Sequence, residues 1–190
     1  MPARLFQKKN GLPTLTIMEL LIPGLILVAL MIYASTKIKK TAAEAFEPET
    51  VETDDFIIQK PDGFLNKLNG DPQFAFEAYS KEFGAASGAE NFRMGTANLI
   101  AFDGKTVKKA ISELSESGDK MGEQLAEVVG EHHYRVIEGT RVVKDIDFRV
   151  RYKLAEKAGK LYRFETVNLV EASEEFVRRI DGMLDSFELK

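Results

Sequence analysis

Residues 146–154, IDFRVRYKL, form the stretch that decides the fold. Apolar side chains occupy every second position of this stretch, namely Ile146, Phe148, Val150, Tyr152 and Leu154. This period of two is typical of a β-strand that buries one face and exposes its charged face to water. A turn at residues 156–159 leads into a second apolar segment at residues 161–170. The pattern therefore predicts an antiparallel hairpin.

Helical patterns flank this hairpin on both sides. Downstream, Ser173 is a predicted N-cap for a helix whose buried stripe is Phe176, Ile180, Leu184 and Phe187. Upstream, Thr106 is a predicted N-cap for a helix with the stripe Val107, Ala110, Ile111 and Leu114. Helical spacing resumes after Gly118 and predicts a further helical segment over residues 121–129.

Shorter segments complete the predicted sheet. Strands are expected at residues 56–58, 74–79, 92–102 and 132–138, and a loop is expected at residues 85–91. Because strands outnumber helices and are joined as hairpins, we expect an α+β domain with a mainly antiparallel sheet covered by helices.

An apolar run near the N-terminus predicts a membrane anchor. Residues 14–35 contain one charge and one proline, and a helix of that length just crosses a hydrocarbon core about 30 Å thick. The run continues into Lys37, Lys39 and Lys40, as a stop-transfer flank does, so an uncleaved transmembrane helix is favoured over a signal peptide. The basic flanks tie, with Arg4, Lys8 and Lys9 before the run and three lysines after it. Because short basic N-terminal tails usually stay in the cytoplasm, we expect the folded domain on the extracytoplasmic side.

Four regions follow from these patterns. They are a short basic tail at residues 1–13, the transmembrane helix at 14–35, a basic flank and acidic stalk at 36–55, and a soluble domain at 56–190. The stalk is predicted to be flexible or partly helical, because residues 41–55 carry six acidic side chains and little apolar surface.

Glu19 is the single charge inside the predicted anchor. It is expected either at headgroup depth beside the positive end of the helix or in a functional intramembrane role. The segment Lys8-Lys9-Asn10-Gly11 and the apolar run after it resemble a type IV prepilin leader. That resemblance implies a pilin-like assembly subunit as an alternative function, although Glu19 lies eight residues after the glycine rather than the family's five.

Charge and composition exclude several function classes. Residues 41–190 hold 20 Lys/Arg against 29 Asp/Glu, which argues against nucleic acid as a partner. The chain has no cysteine, which excludes disulfides, thiolate catalysis, iron–sulfur clusters and cysteine zinc sites.

Residues 56–187 contain four further features: the opening FIIQKPDGF of residues 56–64, the strand–helix unit at 97–125, the aromatic hairpin at 148–164, and the closing MLDSF of residues 183–187. With these features the segment resembles the PsbP-like fold, which includes DcrB-like proteins. The resemblance implies an α/β/α sandwich around an antiparallel sheet. It also implies an accessory or binding protein with no shared catalytic residues.

No residue set forms a catalytic or metal-binding signature. Gly104-Lys105-Thr106 lacks the preceding glycine of a phosphate loop, since position 99 is leucine, and is predicted to be a turn and a helix cap. His132 and His133 are adjacent on a predicted strand and therefore point to opposite faces. We expect no enzyme activity, no cofactor and no metal.

The best candidate for a docking surface is a basic stripe on the strand first quoted. Arg149, Arg151 and Lys153 share its predicted wet face, and Arg163 is expected to join them across the hairpin. The alternative is cross-strand pairing with Glu165 or Asp147. The sequence thus predicts a membrane-anchored, non-enzymatic accessory protein that binds a protein partner. A small-ligand binder or hydrolase with a cleft between sheet and helix is the third possibility.

Overall fold

The computed structural model describes residues 17–67, 70–87 and 90–190, with side chains of these residues except 17–22 and 85–91. The described residues belong to two compact units, of which the first ends at Ala42 and the second runs from Ala43 to Lys190. Three helices are described: α1 (Ile17–Glu44), α2 (Val107–Glu116) and α3 (Glu174–Asp185). The described strands are β1 (Glu49–Glu52), β2 (Phe56–Lys60), β3 (Phe64–Asn66), β4 (Phe76–Ser80), β5 (Phe83–Ser87), β6 (Glu90–Arg93), β7 (Gly95–Asp103), β8 (Lys120–Val129), β9 (His132–Val143), β10 (Ile146–Lys157), β11 (Lys160–Leu169) and β12 (Glu188–Leu189).

The first unit is formed by α1, a helix of 28 residues with Pro23 inside it. From residue 23 onward, where side chains are described, nine large apolar side chains of this helix are more than half exposed, namely Leu25, Ile26, Leu27, Val28, Leu30, Met31, Ile32, Tyr33 and Ile38. Within the part of the chain that the structure describes, no helix combines the length and apolar content that a membrane crossing requires. The predicted anchor at 14–35 begins outside these residues, and the side chain of Glu19 also lies outside them.

A seven-stranded sheet organises the second unit, in the order β3-β4-β7-β11-β10-β9-β8. Every pairing described within it is antiparallel. The predicted hairpin is confirmed as β10–β11, which pairs from Phe148 with Leu169 down to Lys157 with Lys160. A three-stranded sheet, β1-β2-β12, and a two-stranded sheet, β5-β6, complete the described strands.

Helices α2 and α3 cover opposite faces of the seven-stranded sheet, which confirms the predicted α+β class. On one face Ala110 and Leu114 of α2 pack with Val150, Tyr152 and Leu154 of β10. The other face carries the larger core, to which α3, β2 and β4 contribute. Its members include Phe56, Ile58, Phe76, Ala155, Phe164, Phe176, Ile180, Met183, Leu184 and Phe187. Because β10 and β11 lie between two helical layers, both of their faces are covered.

Both predicted helix caps are confirmed. The Thr106 side chain accepts a hydrogen bond from the Lys109 N–H, and the Ser173 side chain accepts one from the Phe176 N–H. Gly104 adopts a φ of +64° in the turn before α2, a conformation that glycine adopts without steric cost. The Gly-Lys-Thr segment is therefore a turn followed by a cap.

The predicted helical segment at 121–129 is wrong, because these residues form β8. They pair with β9 from Lys120 opposite Thr140 to Val129 opposite His132, with a bulge between Met121 and Gln124. The i, i+4 spacing of Met121 and Leu125 does not mark a buried stripe, since Leu125 is 49% exposed. The loop predicted at 85–91 is also wrong in part, because β5 and β6 pair there around residues 88–89, which lie outside the described residues.

The folded unit begins before residue 56, where the sequence predicted a stalk. Strand β1 pairs with β2, from Glu49 opposite Lys60 to Glu52 opposite Ile57. The ammonium of Lys60, which is 2% exposed, donates hydrogen bonds to the carbonyl oxygens of Ala45, Glu47 and Phe64. This buried cation fixes the segment that precedes β1 and explains why it is ordered despite its acidic composition.

Candidate functional site

The basic residues of β10 lie under α3 rather than on a wet face, so the predicted exposure of that face is wrong. Arg149 donates from Nη1 to both carboxylate oxygens of Asp181 at 2.9 Å and from Nε to Glu138 at 2.6 Å. Arg151 lies 2.9 Å from Asp181 and 3.5 Å from Asp185. Helix α3 supplies the counter-charges Asp181 and Asp185, and the neighbouring strand β9 supplies Glu138.

Lys153 is the most enclosed of the three predicted docking residues. Its side chain is 1% exposed and donates to the carbonyl oxygen of Asp185 at 2.9 Å. The ammonium also lies 3.8 Å from Glu127 and 4.8 Å from the ring centroid of Tyr134. Burial lowers the pKa of Lys153, and the negative charges of Glu127 and Asp185 oppose that shift.

Arg163 lies on the opposite face of the sheet from the other three. It is paired with Leu154 across the hairpin, and Leu154 packs on the α2 side. Its guanidinium is placed 5.1 Å from the ring centroid of Phe102. The structure therefore brings Arg149, Arg151 and Lys153 together and separates Arg163 from them. Little of the first three side chains remains available to a partner.

A buried polar network on the α2 face was not predicted from the sequence. The Asp119 carboxylate accepts hydrogen bonds from Arg141 Nε and Nη2, both at 2.8 Å, and from the Tyr152 hydroxyl at 2.6 Å. Arg141 also lies 3.0 Å from Glu165. Asp119 lies between Gly118, which follows α2, and strand β8, and no local pattern in the sequence marks it as part of a network.

The pKa values in this network follow from its geometry. Burial would raise the pKa of Asp119, but hydrogen bonds from Arg141 and Tyr152 and the charge of Arg141 outweigh it and lower the pKa. Burial raises the pKa of Tyr152, and the negative charge of Glu165 and the hydrogen bond to Asp119 add to the effect. Each carboxylate oxygen of Asp119 has a donor, so the network holds the end of α2 to the sheet.

A cleft of about 370 Å³ lies between the start of α2 and strands β8 and β9. Its lining residues are Val107, Ala126, Glu127, Val128, Glu131, His132, His133, Tyr134, Arg135 and Glu156. The Glu156 carboxylate accepts a hydrogen bond from the Val107 N–H at 2.5 Å, which occupies the helix N-terminus. Among the described residues no group of three or more His, Asp or Glu side chains is placed to hold a metal ion. Charged side chains of both signs, together with apolar side chains such as Val107 and Val128, therefore line the cleft.

No family model matches this sequence, and no curated protein does either. Among solved structures, the chain is similar to the cyanobacterial PsbP protein CyanoP from Synechocystis sp. PCC 6803, with 14% identity and a TM-score of 0.52 over 76% of this chain and 92% of that chain. The fold is PsbP-like. The chain is also similar to LpqN of Mycobacterium tuberculosis, a protein involved in cell envelope biogenesis, with 13% identity and a TM-score of 0.52 over 76% of this chain and 91% of that chain.

One edge of the main sheet in the PsbP-like domain is a long strand, β8. Strand β8 is the last strand in the described order and has β9 on one side only. Leu125 is 49% exposed and Val128 is 64% exposed on this strand. Backbone groups at a sheet edge are available to another strand, so the open edge and the neighbouring cleft are two candidate binding surfaces among the described residues.

Proposed function

We propose that this protein is a membrane-tethered, non-enzymatic binding protein, in which α1 holds the PsbP-like domain at a membrane. The observation that carries the proposal is the exposure of α1. Leu27, Met31 and Tyr33 are each more than 60% exposed, and the other large apolar residues from Leu25 to Ile38 are exposed to a similar degree.

An apolar surface of this kind requires an apolar environment. A helix that is hydrophobic on all sides belongs in a protein core or in lipid, and burying each large side chain contributes roughly 1.5–3 kcal/mol. Lys37, Lys39 and Lys40 follow the apolar segment in the same helix and suit an interface with lipid headgroups. A bilayer satisfies these requirements. The extracytoplasmic side that we propose for the domain rests on the short basic tail at residues 1–13 and not on these lysines.

Fractionation of cells that make the full chain tests the tether. The wild type is expected in the membrane pellet after an alkaline carbonate wash. The variant Leu27→Lys/Met31→Lys is expected in the supernatant, because each charge near the centre of a span costs about 2.5–3.5 kcal/mol. The matched control Leu27→Ile/Met31→Leu keeps the apolar surface and is expected in the pellet. A wild-type chain released by the wash contradicts the proposal.

A pilin-like assembly subunit is the second candidate, because the exposed apolar face of α1 also suits packing against further copies of this helix. N-terminal sequencing of the mature protein distinguishes the two. A chain that begins at Leu12 supports the assembly subunit, and a chain that begins at Met1 or Pro2 supports the simple tether.

A further inference from the structure

The open edge of the main sheet is the outer side of β8 (Lys120–Val129), called the β8 edge below. It is ten residues long, and most of its side chains are exposed. Its charges are Lys120 at one end and Glu123 and Glu127 further along. Because alternate backbone N–H and C=O groups of an edge strand point away from its neighbour, this side offers a row of unused hydrogen-bonding groups.

The bulge sets which residues of the β8 edge share a face. Between Met121 and Gln124 the strand advances three residues while β9 advances two. The strand therefore contains one extra residue there. The β9 partners of Lys120 and Glu127 are six residues apart, so both side chains lie on the same face of the sheet, which is the α3 face. Gln124 pairs midway between them along β9.

We propose that a second copy of this chain pairs antiparallel with the β8 edge about a two-fold axis at Gln124. Lys120 of each copy then lies opposite Glu127 of the other, and Met121 lies opposite Ala126. Gln124 lies opposite itself. The two seven-stranded sheets become one continuous sheet, and a closed two-fold contact of this kind leaves neither β8 edge open.

Charge complementarity favours this occupant and this register. Opposite charges placed directly across two strands stabilise the pair, and like charges destabilise it. The two-fold register at Gln124 creates two Lys120–Glu127 pairs from a single strand sequence, in which each partly exposed Glu127 also keeps Lys153 of its own copy at 3.8 Å. Shifting the axis by one position to Leu125 removes both pairs and brings Glu127 opposite the bulge that contains Glu123. The β8 edge is thus complementary to itself in one register.

Cysteine cross-linking of the full chain in its native membranes tests the contact. The chain has no cysteine, so Gln124→Cys introduces the only thiol. Directly opposite residues in an antiparallel pair have Cα atoms about 4.5–5.5 Å apart, which a disulfide spans. Mild oxidation is expected to give a disulfide-linked homodimer on a non-reducing gel. Lys108→Cys, at an exposed position on α2, is the matched control and is expected to remain monomeric.

Charge variants at the axis separate a two-fold contact from chance proximity. Gln124→Lys and Gln124→Glu each place two like charges opposite one another, and each is expected to weaken self-association about tenfold. Co-expression of the two variants with different tags is expected to restore it, because the mixed pair has opposite charges. Equal cross-linking of Gln124→Cys and Lys108→Cys, or cross-linking of Gln124→Cys only to a different protein, overturns the proposal. Unchanged association in both charge variants also overturns it.

Discussion

At the scale of single residues, Lys153 shows how a cation is accommodated at the centre of the sheet. Its ammonium has one carbonyl acceptor, one carboxylate at 3.8 Å and one aromatic ring. These contacts offset only part of the cost of removing the charge from water, and the pKa of Lys153 is lowered from its ordinary value of 10.5. The charged form therefore costs the folded state stability at neutral pH.

This cost predicts a specific pH dependence. As the pH rises toward 10.5, the folded chain releases the Lys153 proton before the unfolded chain does, so the unfolded state binds more protons and stability rises with pH. We expect the free energy of unfolding of the wild type to increase relative to that of Lys153→Met as the pH rises toward 10.5. Urea unfolding at a series of pH values measures this difference.

The matched control for this titration is Lys160→Met, at an exposed position of β11. It measures the effect of the same lysine-to-methionine substitution at an exposed site of the sheet over the same pH range. If the difference in the free energy of unfolding between the wild type and Lys153→Met does not change with pH, then Lys153 has the same pKa in the folded and unfolded states. That result contradicts the prediction.

At the scale of elements, a glycine in β9 and a glycine in α3 differ in the space that surrounds them. A Cβ at Gly139 of β9 would lie 2.8 Å from the carbonyl oxygen of Lys120, a backbone atom of the paired strand. A Cβ at Gly182 of α3 would meet no atom within 4 Å. The first glycine permits close approach of β8 and β9, whereas the second only weakens a helix.

The two alanine substitutions are therefore expected to differ in sign. Gly139→Ala is expected to lower the free energy of unfolding by about 1–3 kcal/mol, because the strands must move apart. Gly182→Ala is expected to raise it by about 0.5–1 kcal/mol, because alanine favours the helix and restricts the unfolded chain. Chemical denaturation of both variants checks the pair, and a destabilised Gly182→Ala would mean that α3 packs more tightly than described.

The success of sequence-based prediction also differs among elements. The alternation in β10 and β11 predicted the hairpin because a period of two is specific to strands. β8 was misassigned because Met121, Leu125 and Val128 happen to fit helical spacing, and its pairing with β9 is a long-range contact that local pattern does not reveal. The α3 acids that neutralise Arg149 and Arg151 were missed for the same reason.

The polar network around Asp119 was beyond sequence reasoning for a related cause. Its members come from positions 119, 141, 152 and 165, and only the sheet order brings them together. Tyr152 was correctly expected to be buried, but nothing in the local pattern shows that its hydroxyl has a carboxylate partner. Ion pairs among distant elements depend on packing, which composition and periodicity do not specify.

At the scale of the whole molecule, all buried core residues described lie in the second unit, from Phe56 to Leu189. A chain of residues 43–190 is therefore expected to fold alone and to keep a cooperative thermal transition. A chain of residues 53–190 also loses β1 and two carbonyl acceptors of Lys60. It is expected to lose at least about 2 kcal/mol of stability, since a buried cation is left under-paired.

Thermal unfolding followed by circular dichroism compares these two chains. Residues 43–190 serve as the control for 53–190, since both lack the apolar part of α1. Equal stability of the two would contradict the role given to β1 and Lys60.

The β2–β12 pairing has a consequence for how the protein is made. Phe187 packs against the rings of Phe56, Tyr134 and Phe164, and the strand that follows it pairs with β2. Ribosomes synthesise the N-terminal side first, at about 5–20 residues per second. For on the order of ten seconds the nascent chain thus presents Phe56 without its closing partners. The contacts that bury Phe56 can therefore form only after residue 189 has been synthesised, so folding of this unit finishes late in translation.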